Sequence, residues 1–339
     1  MATIKDVAKA AGVSVATVSR VVNKSPKASQ ASITAVTAAM QALGYRPNAN
    51  ARALVSQSTN TVGVVVGDVS DPFFGVMLKA IDHVVRQQGK QLLIGNGYHD
   101  AQTEREAIEL LINSRCDSLI IHSKGLPNEE LIRYAEEVPG LVIINRYITE
   151  IAPRCIALDN FKGAYLATEH LIKHGHQHIG YICSNHAIED TEQRKAGYLA
   201  ALAEHGISRN ENYIEYGTPD EQGGESAMIA LLSKQLPITA IATYNDYMAA
   251  GGLSVLEDNY IQVPEALSLI GFDDGLIAKY LHPKLTTIRY PIHIMAEQAA
   301  LLSLKLAQKE ANDASTRMFV PTLVKRHSVG SVRTNKTHK

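Results

Sequence analysis

The sequence predicts an α/β protein in two parts, a small helical head and a larger body of two lobes, each built on a parallel sheet. Three observations carry this expectation. The chain has 339 residues, more than one ordinary domain holds. Its first 60 residues are basic and patterned as short helices, and from Thr61 onward short β-branched runs alternate with amphipathic stretches. Apolar residues make up 45% and charged residues 20%, a balance that excludes a disordered chain, and no apolar run is long enough to span a membrane. The start, Met1 to Asp6, lacks an apolar core behind a basic end, so a cytoplasmic protein is expected. Cys116, Cys155 and Cys183 are odd in number and widely spaced, which argues against a disulfide framework or a zinc site. No cofactor and no metal are expected.

Residues 1–60 carry Lys5, Lys9, Arg20, Lys24, Lys27, Arg46 and Arg52 against the single acid Asp6, a net +6 that leaves −7 on the rest of the chain. A basic module ahead of a mildly acidic body is the charge footprint of a nucleic-acid-binding head on a regulatory domain. Within it, Thr3 precedes Ile4, Val7, Ala8 and Ala11 at helical spacing, and Asp6 stands in capping-box position. Gly12 breaks this first helix and Ser14 caps a second from Val15 to about Asn23. Helix, glycine turn and helix make a helix-turn-helix. Val18, Val21 and Val22 form its inward set, leaving Val15, Ala16, Thr17, Ser19, Arg20 and Asn23 toward solvent or a DNA groove. Arg20 can fork to guanine, Val15 and Ala16 can touch thymine methyls, and the short polar groups suit phosphates. A third helix, about Gln30 to Leu43, supplies Ile33, Val36, Ala39, Met40 and Leu43.

Thr3-Ile4-Lys5-Asp6-Val7-Ala8, Gly12 to Val21 and Gly44-Tyr45-Arg46-Pro47-Asn48 resemble the DNA-binding head of the bacterial lactose/galactose repressor family. The resemblance implies that Asn48 to Leu54 is a hinge helix that folds on operator DNA, with Asn50 and Ala51 at the DNA and Leu54 prying open the central base step. An apolar wedge of that kind offsets unstacking with the extra contact that a bent duplex allows. It further implies a homodimer on a palindromic double-stranded operator, released by a sugar effector, with D-galactose the sugar.

In the body, Val62 to Val66, Leu92 to Ile94, Leu119 to Ile121 and Leu141 to Ile144 read as buried parallel strands of a first lobe, separated by helices about Phe74–Gln88 and Thr103–Asn113. A second lobe follows, with strands at Ile179–Cys183, Ala240–Ala242 and Leu267–Ile270 and helices about Gln193–His205 and Tyr247–Asn259. The plan resembles the family's periplasmic-binding-protein-like core, which implies crossovers at Leu158-Asp159-Asn160 and near Ile288 to Pro291. The expected boundaries are a head over residues 1–46, a hinge and linker over 47–60, the two-lobe body over 61–328 and a basic tail over 329–339. The tail has no leucine heptads, so a dimer is expected rather than a larger assembly.

Ligands of open α/β sheets bind beyond the carboxyl ends of the strands. That rule selects Asp68, Asp71 to Phe74, Asn145-Arg146, Asn245-Asp246 and Phe272 to Asp274, a collection of hydroxyl-binding carboxylates, amides and guanidinium with an aromatic face. By similarity to family pockets, Phe73, Asn145, Arg146, Asp159, Arg194, Asn245 and Asp273 surround the effector. The residues alone reach only a small polar molecule, and a different effector for the same fold stays open. A sugar-binding transport receptor is disfavoured by the helix-turn-helix and the absent signal peptide. Enzyme readings are weaker still: Gly12 to Ala16 grazes a nucleophile elbow but follows a helix. His170, His174, His176 and His178 are crowded, yet fit a helix end leading into a strand.

Overall fold

The head folds where its sequence pattern places it, as α1 (Ile4–Ala11), α2 (Val15–Val22) and α3 (Gln30–Ala42), in a computed structural model that describes residues 2–23, 25–46, 59–310 and 317–332. The Thr3 hydroxyl accepts from the Asp6 amide and the Asp6 carboxylate accepts from the Thr3 amide, closing the capping box. Gly12 ends α1 at φ 65°, a conformation that costs a residue with a Cβ, and the Ser14 hydroxyl then accepts from the Thr17 amide to start α2. Val7, Val18 and Val36 are fully buried where the three helices meet, with Ala8 and Ala39 beside them. Ile33 and Leu43, expected inward, are 37% and 40% exposed. Two eight-residue partners cover only a narrow stripe of the thirteen-residue α3.

The first lobe comprises β1 (Thr61–Val66), α4 (Pro72–Gln87), β2 (Gln91–Asn96), α5 (Ala101–Asn113), β3 (Ser118–Ile121), α6 (Asn128–Glu137), β4 (Leu141–Ile144) and β5 (Cys155–Leu158). The second comprises α7 (Asn160–Lys173), β6 (Ile179–Ser184), α8 (Glu189–Glu204), β7 (Ile214–Gly217), α9 (Glu221–Ser233), β8 (Ala240–Thr243), α10 (Asp246–Asp258), β9 (Ser268–Asp273), α11 (Leu276–Tyr280) and β10 (Thr286–Arg289). The chain then returns to the first lobe through α12 (Ile292–Ala307) and β11 (Arg317–Phe319), and ends in the second with β12 (Thr322–Val324). The two sheets run β11-β5-β4-β3-β1-β2 and β12-β10-β9-β8-β6-β7, parallel throughout except for β12 against β10.

Three crossovers therefore join the lobes. The first two lie at residues 158–160 and 289–292, as expected, while the third, Phe319-Val320-Pro321, belongs to strands too short to leave a pattern in the sequence. Because α12 packs back beneath the first sheet, one buried cluster runs from Val64, Met77 and Ile144 through Met295 to Tyr181 and Phe272. The Ser303 hydroxyl, donating to the Gly140 carbonyl at 2.8 Å, ties α12 to the start of β4. β2 departs from expectation: as an edge strand paired with β1 alone, it leaves Leu93 and Ile94 38% and 43% exposed. Burial pushes the thiols of Cys155 and Cys183 up to about 11 and about 12, which keeps them protonated and unreactive. Among the described residues no helix is long and apolar enough to cross a membrane.

Candidate DNA-reading helix and interlobe cleft

On α2 the inward valines fix which face remains outside. Val15, Ala16, Arg20 and Asn23 are exposed, and Thr17 and Ser19 are half-buried. Thr17 shares a 2.9 Å hydroxyl contact with Ser14, and the Asn23 amide donates to the Ser19 hydroxyl at 3.4 Å. A short helix thus presents one cation, two small apolar groups and three short polar groups on one face, a set suited to major-groove base edges and flanking phosphates. Asn50, Ala51 and Leu54 lie outside the described residues.

The second site is a half-open cleft between the lobes, with about 570 Å³ of empty space when its mouth is included. From the first lobe come Asp71, Phe73 and Phe74 at the start of α4, His99 beyond β2, His122 beyond β3 and Asn145 beyond β4. From the second come His186, Asp190 and Arg194, then Tyr244 and Asn245 beyond β8, Asp273 at the end of β9, and Tyr290 beyond β10. Each lies at or beyond the carboxyl end of a parallel strand or in the first two turns of the helix that follows it, as the geometry of parallel sheets favours. Asn145 and Asp273, at φ 61° and 110°, are held in the left-handed region that non-glycine residues rarely adopt.

One wall is aromatic. The Phe73 ring meets Phe74 and Tyr290 edge-on at 5.3 and 5.0 Å, and Phe74 meets His122 at 4.9 Å. His99 lies 5.7 Å from His122 and, across the cleft, 5.6 Å from His186. Burial lowers the pKa of all three imidazoles, with His186 adding to the effect on His99 and Lys124 to that on His122, so the wall is neutral at pH 7.

The facing wall is charged. Arg194 is buried between the Phe272 and Tyr244 rings, 3.7 and 4.4 Å from their centroids. Its guanidinium donates to Asn160 Oδ1 at 2.9 Å and the Tyr244 carbonyl at 2.6 Å, and its remaining nitrogen lies 3.7 Å from Asp273. Burial pushes the Asp273 carboxyl up to about 7, against the pull of Arg194 and with the help of Asp71 and Asp190. Behind it, Asp246 accepts from the Thr287 hydroxyl at 2.6 Å and the Gly275 amide at 2.8 Å, anchoring the turn that carries Asp273.

Four buried polar atoms on lining residues, His99 Nδ1, His122 Nδ1, Asn145 Oδ1 and the Tyr290 hydroxyl, have no hydrogen-bond partner within the protein. Each such atom costs about 1–3 kcal/mol. A ligand rich in hydroxyls offsets that cost, whereas an apolar one cannot.

Five of the expected effector residues, Phe73, Asn145, Arg194, Asn245 and Asp273, converge on this cleft. Asn245 also caps α10, accepting from the Met248 amide at 2.8 Å while its own amide donates to the Pro219 carbonyl. Arg146 and Asp159 are not in it. The left-handed turn at Asn145 sends Arg146 back onto its own lobe, where it donates to the Leu126 carbonyl at 2.7 Å and Asn128 Oδ1 at 2.8 Å. Asp159 caps α7 by accepting from the Lys162 amide at 2.8 Å, and both residues line an adjoining groove beside Phe161 and Gln193 that shares Asn145 and Asp190 with the cleft. Asp71, which the strand-end rule selected, joins the five in the cleft, whereas His99, His122, His186, Asp190, Tyr244 and Tyr290 went unselected in the sequence as effector residues, although five of these six lie within three residues of a strand's end. The crowded histidines are bound locally: His174 contacts the His170 carbonyl, His176 bridges Thr239 and Gly330, and His178 meets the Tyr213 hydroxyl. No group of three or more potential ligands among the described residues is arranged to hold a metal.

A reading helix on a basic head, ahead of a two-lobe cleft for a polar ligand, defines a ligand-responsive DNA-binding regulator. Residues 3–48 match the family described as bacterial regulatory proteins, lacI family, and residues 168–329 match the periplasmic binding protein-like domain. The chain is 57% identical over 338 residues to the HTH-type transcriptional regulator GalR of Escherichia coli (strain K12), covering 100% of this chain and 98% of that protein. It is 54% identical over 329 residues to the regulator GalS of Salmonella typhimurium (strain LT2), covering 97% of each. Among solved structures, the lac repressor dimer bound to operator and the anti-inducer ONPF superposes with a TM-score of 0.83 at 25% identity, over 97% of this chain and 99% of that one. The chain belongs to the lacI family of bacterial transcription regulators.

Proposed function

We propose that this protein is a cytoplasmic, homodimeric repressor that occupies a palindromic operator of galactose transport and metabolism genes and releases it when D-galactose enters the interlobe cleft. The observation that carries the reading is the presence in one chain of an exposed reading face, Val15, Ala16 and Arg20, and a cleft whose buried polar atoms await a hydroxylated partner. On the DNA, Arg20 takes a guanine, Val15 and Ala16 take thymine methyls, and Thr17, Ser19 and Asn23 take phosphates. Asn50, Ala51 and Leu54 act in the minor groove as a hinge and wedge.

In the cleft, Phe73 and Tyr290 face the C–H side of the sugar ring. Asn145, Asn245, Arg194 and Asp273 take its hydroxyls, together with His122 and Asp190. Support for a dimer comes from large exposed apolar side chains on both lobes, Val76, Leu93, Ile94 and Leu110 on the first and Ile229, Leu276 and Tyr280 on the second. The relatives named GalR and GalS support galactose. Isothermal titration of the full chain with D-galactose, D-glucose and D-ribose tests the assignment. Galactose is expected to saturate one site per chain; galactose without heat, beside another sugar that binds, would overturn the sugar while leaving the regulator intact.

A further inference from the structure

We infer that Lys124 and Asp190 form a latch between the two lobes that sets how readily the cleft closes on its effector, a deepening of the reading above that rests on it for the identity of the sugar. Lys124 follows β3 in the first lobe and lies outside the cleft lining. Its ammonium donates to Asp190 Oδ1 at 2.7 Å, across the lobe boundary, and to the Asn145 carbonyl. The two side chains are 1% and 8% exposed, so this is a buried ion pair rather than a surface contact. Asp190, in the first turn of α8, takes a second donor from the first lobe, the Asn145 amide at 3.0 Å, and one from its own side, Asn160 at 3.3 Å. Both first-lobe donors thus converge on a single second-lobe carboxylate.

The aim of Lys124 is fixed from behind. Glu104 of α5 is buried, and its carboxylate accepts from the amides of Lys124, Gly125 and Leu126 at 2.9 to 3.1 Å and from the Ser123 hydroxyl. The loop also packs closely against the start of α5, where a Cβ at Gly125 would lie 2.7 Å from the Ala101 amide nitrogen. Closing the lobes removes both charges of the latch from water, which is tolerable only while each has the other. Remove one, and the survivor is better solvated with the lobes apart. A ligand enclosed by both lobes must then close a cleft that prefers to stay open, and its apparent affinity falls by the fraction closed.

The test uses the full chain with Lys124→Met, Asp190→Asn and the double variant, each checked for folding by circular dichroism. Operator release is followed by fluorescence anisotropy against D-galactose. Nitroxide labels at Gln102→Cys and Glu221→Cys, exposed positions on opposite lobes, report the interlobe distance without sugar. Lys124→Met is expected to raise the half-release concentration at least tenfold, to lengthen the interlobe distance and to leave sugar-free operator affinity within threefold. The double variant, with no charge left unpaired, is expected to lose much less than the product of the single losses. An unchanged interlobe distance in Lys124→Met, or single effects that multiply in the double variant, would overturn the latch. If wild-type protein ignores galactose, the sugar assignment fails alone, because the label distances still decide the latch.

Discussion

Asp273→Asn removes one buried carboxyl, whose charge also helps to raise the carboxyl of its neighbour Asp246. In the folded protein the Asp273 carboxyl titrates near 7 because burial, reinforced by Asp71 and Asp190, outweighs the pull of Arg194. In the unfolded chain it titrates near the ordinary value of 3.8. The folded pKa is the higher, so its contribution to stability is complete below about 4 and is lost as pH rises through about 7. Between about pH 5 and 7 the folded state holds one proton that the unfolded state lacks, and stability falls by up to about 1.4 kcal/mol per pH unit. His99, His122 and His186 act in the opposite sense: held neutral by burial, they cost stability as pH drops below 6.5. The Asp273→Asn variant keeps these histidines in place, so the difference between wild type and variant cancels them. The assay is urea denaturation followed by far-ultraviolet circular dichroism, since the chain has no tryptophan, at half-unit steps from about pH 5 to 8.5 to span the folded-state titration. The variant is expected to gain stability relative to wild type as pH rises, the gap widening up to about pH 7. Parallel profiles would mean that Asp273 is ionised throughout, and would refute the burial argument.

Arg20→Ala should cost about 1–3 kcal/mol of operator affinity and flatten preference at one base of each half-site, read by binding to a set of single-base operator variants. Phe73→Ala removes a ring that meets both Phe74 and Tyr290; galactose affinity should fall by about 1.5–3 kcal/mol in calorimetry, with sugar-free operator binding retained. Gly197→Ala sets a Cβ 2.2 Å from the Phe161 carbonyl oxygen where α7 packs on α8, and should destabilise by about 1–3 kcal/mol or more in urea. Gly75→Ala, on a helix face with nothing within 4 Å, should stabilise by up to about 1 kcal/mol in the same assay.

The head was legible because its signals are local. Thr3 with Asp6, Gly12 and Ser14 sit within a few residues of the helix ends they define, and each forms the cap or turn it announces. The buried strands of both lobes were legible for the same reason, as β-branched runs bounded by polar residues. β11 and β12, three residues each, depend on neighbours that are distant in sequence and leave no comparable mark. The strand-end rule found Phe73, Asn145, Asn245 and Asp273 by residue type. It passed over His99, His122 and His186, single residues whose role comes from the rings that the fold gathers beside them. It also selected Arg146, whose guanidinium follows the left-handed Asn145 and is spent on the Leu126 carbonyl and Asn128 beside the cleft. The Lys124–Asp190 pair joins residues 66 apart and is invisible before the lobes are assembled.

In the function proposed, one chain couples a sugar in the cleft to a grip on DNA. The direct measurement is operator affinity of the full-length protein by fluorescence anisotropy across a galactose titration, paired with galactose affinity with and without saturating operator. Coupling is reciprocal, so galactose should weaken operator binding by about 1–3 kcal/mol and operator should weaken galactose binding by the same factor. Galactose that binds the cleft at equal strength with and without operator, and leaves operator affinity unchanged, would contradict that coupling.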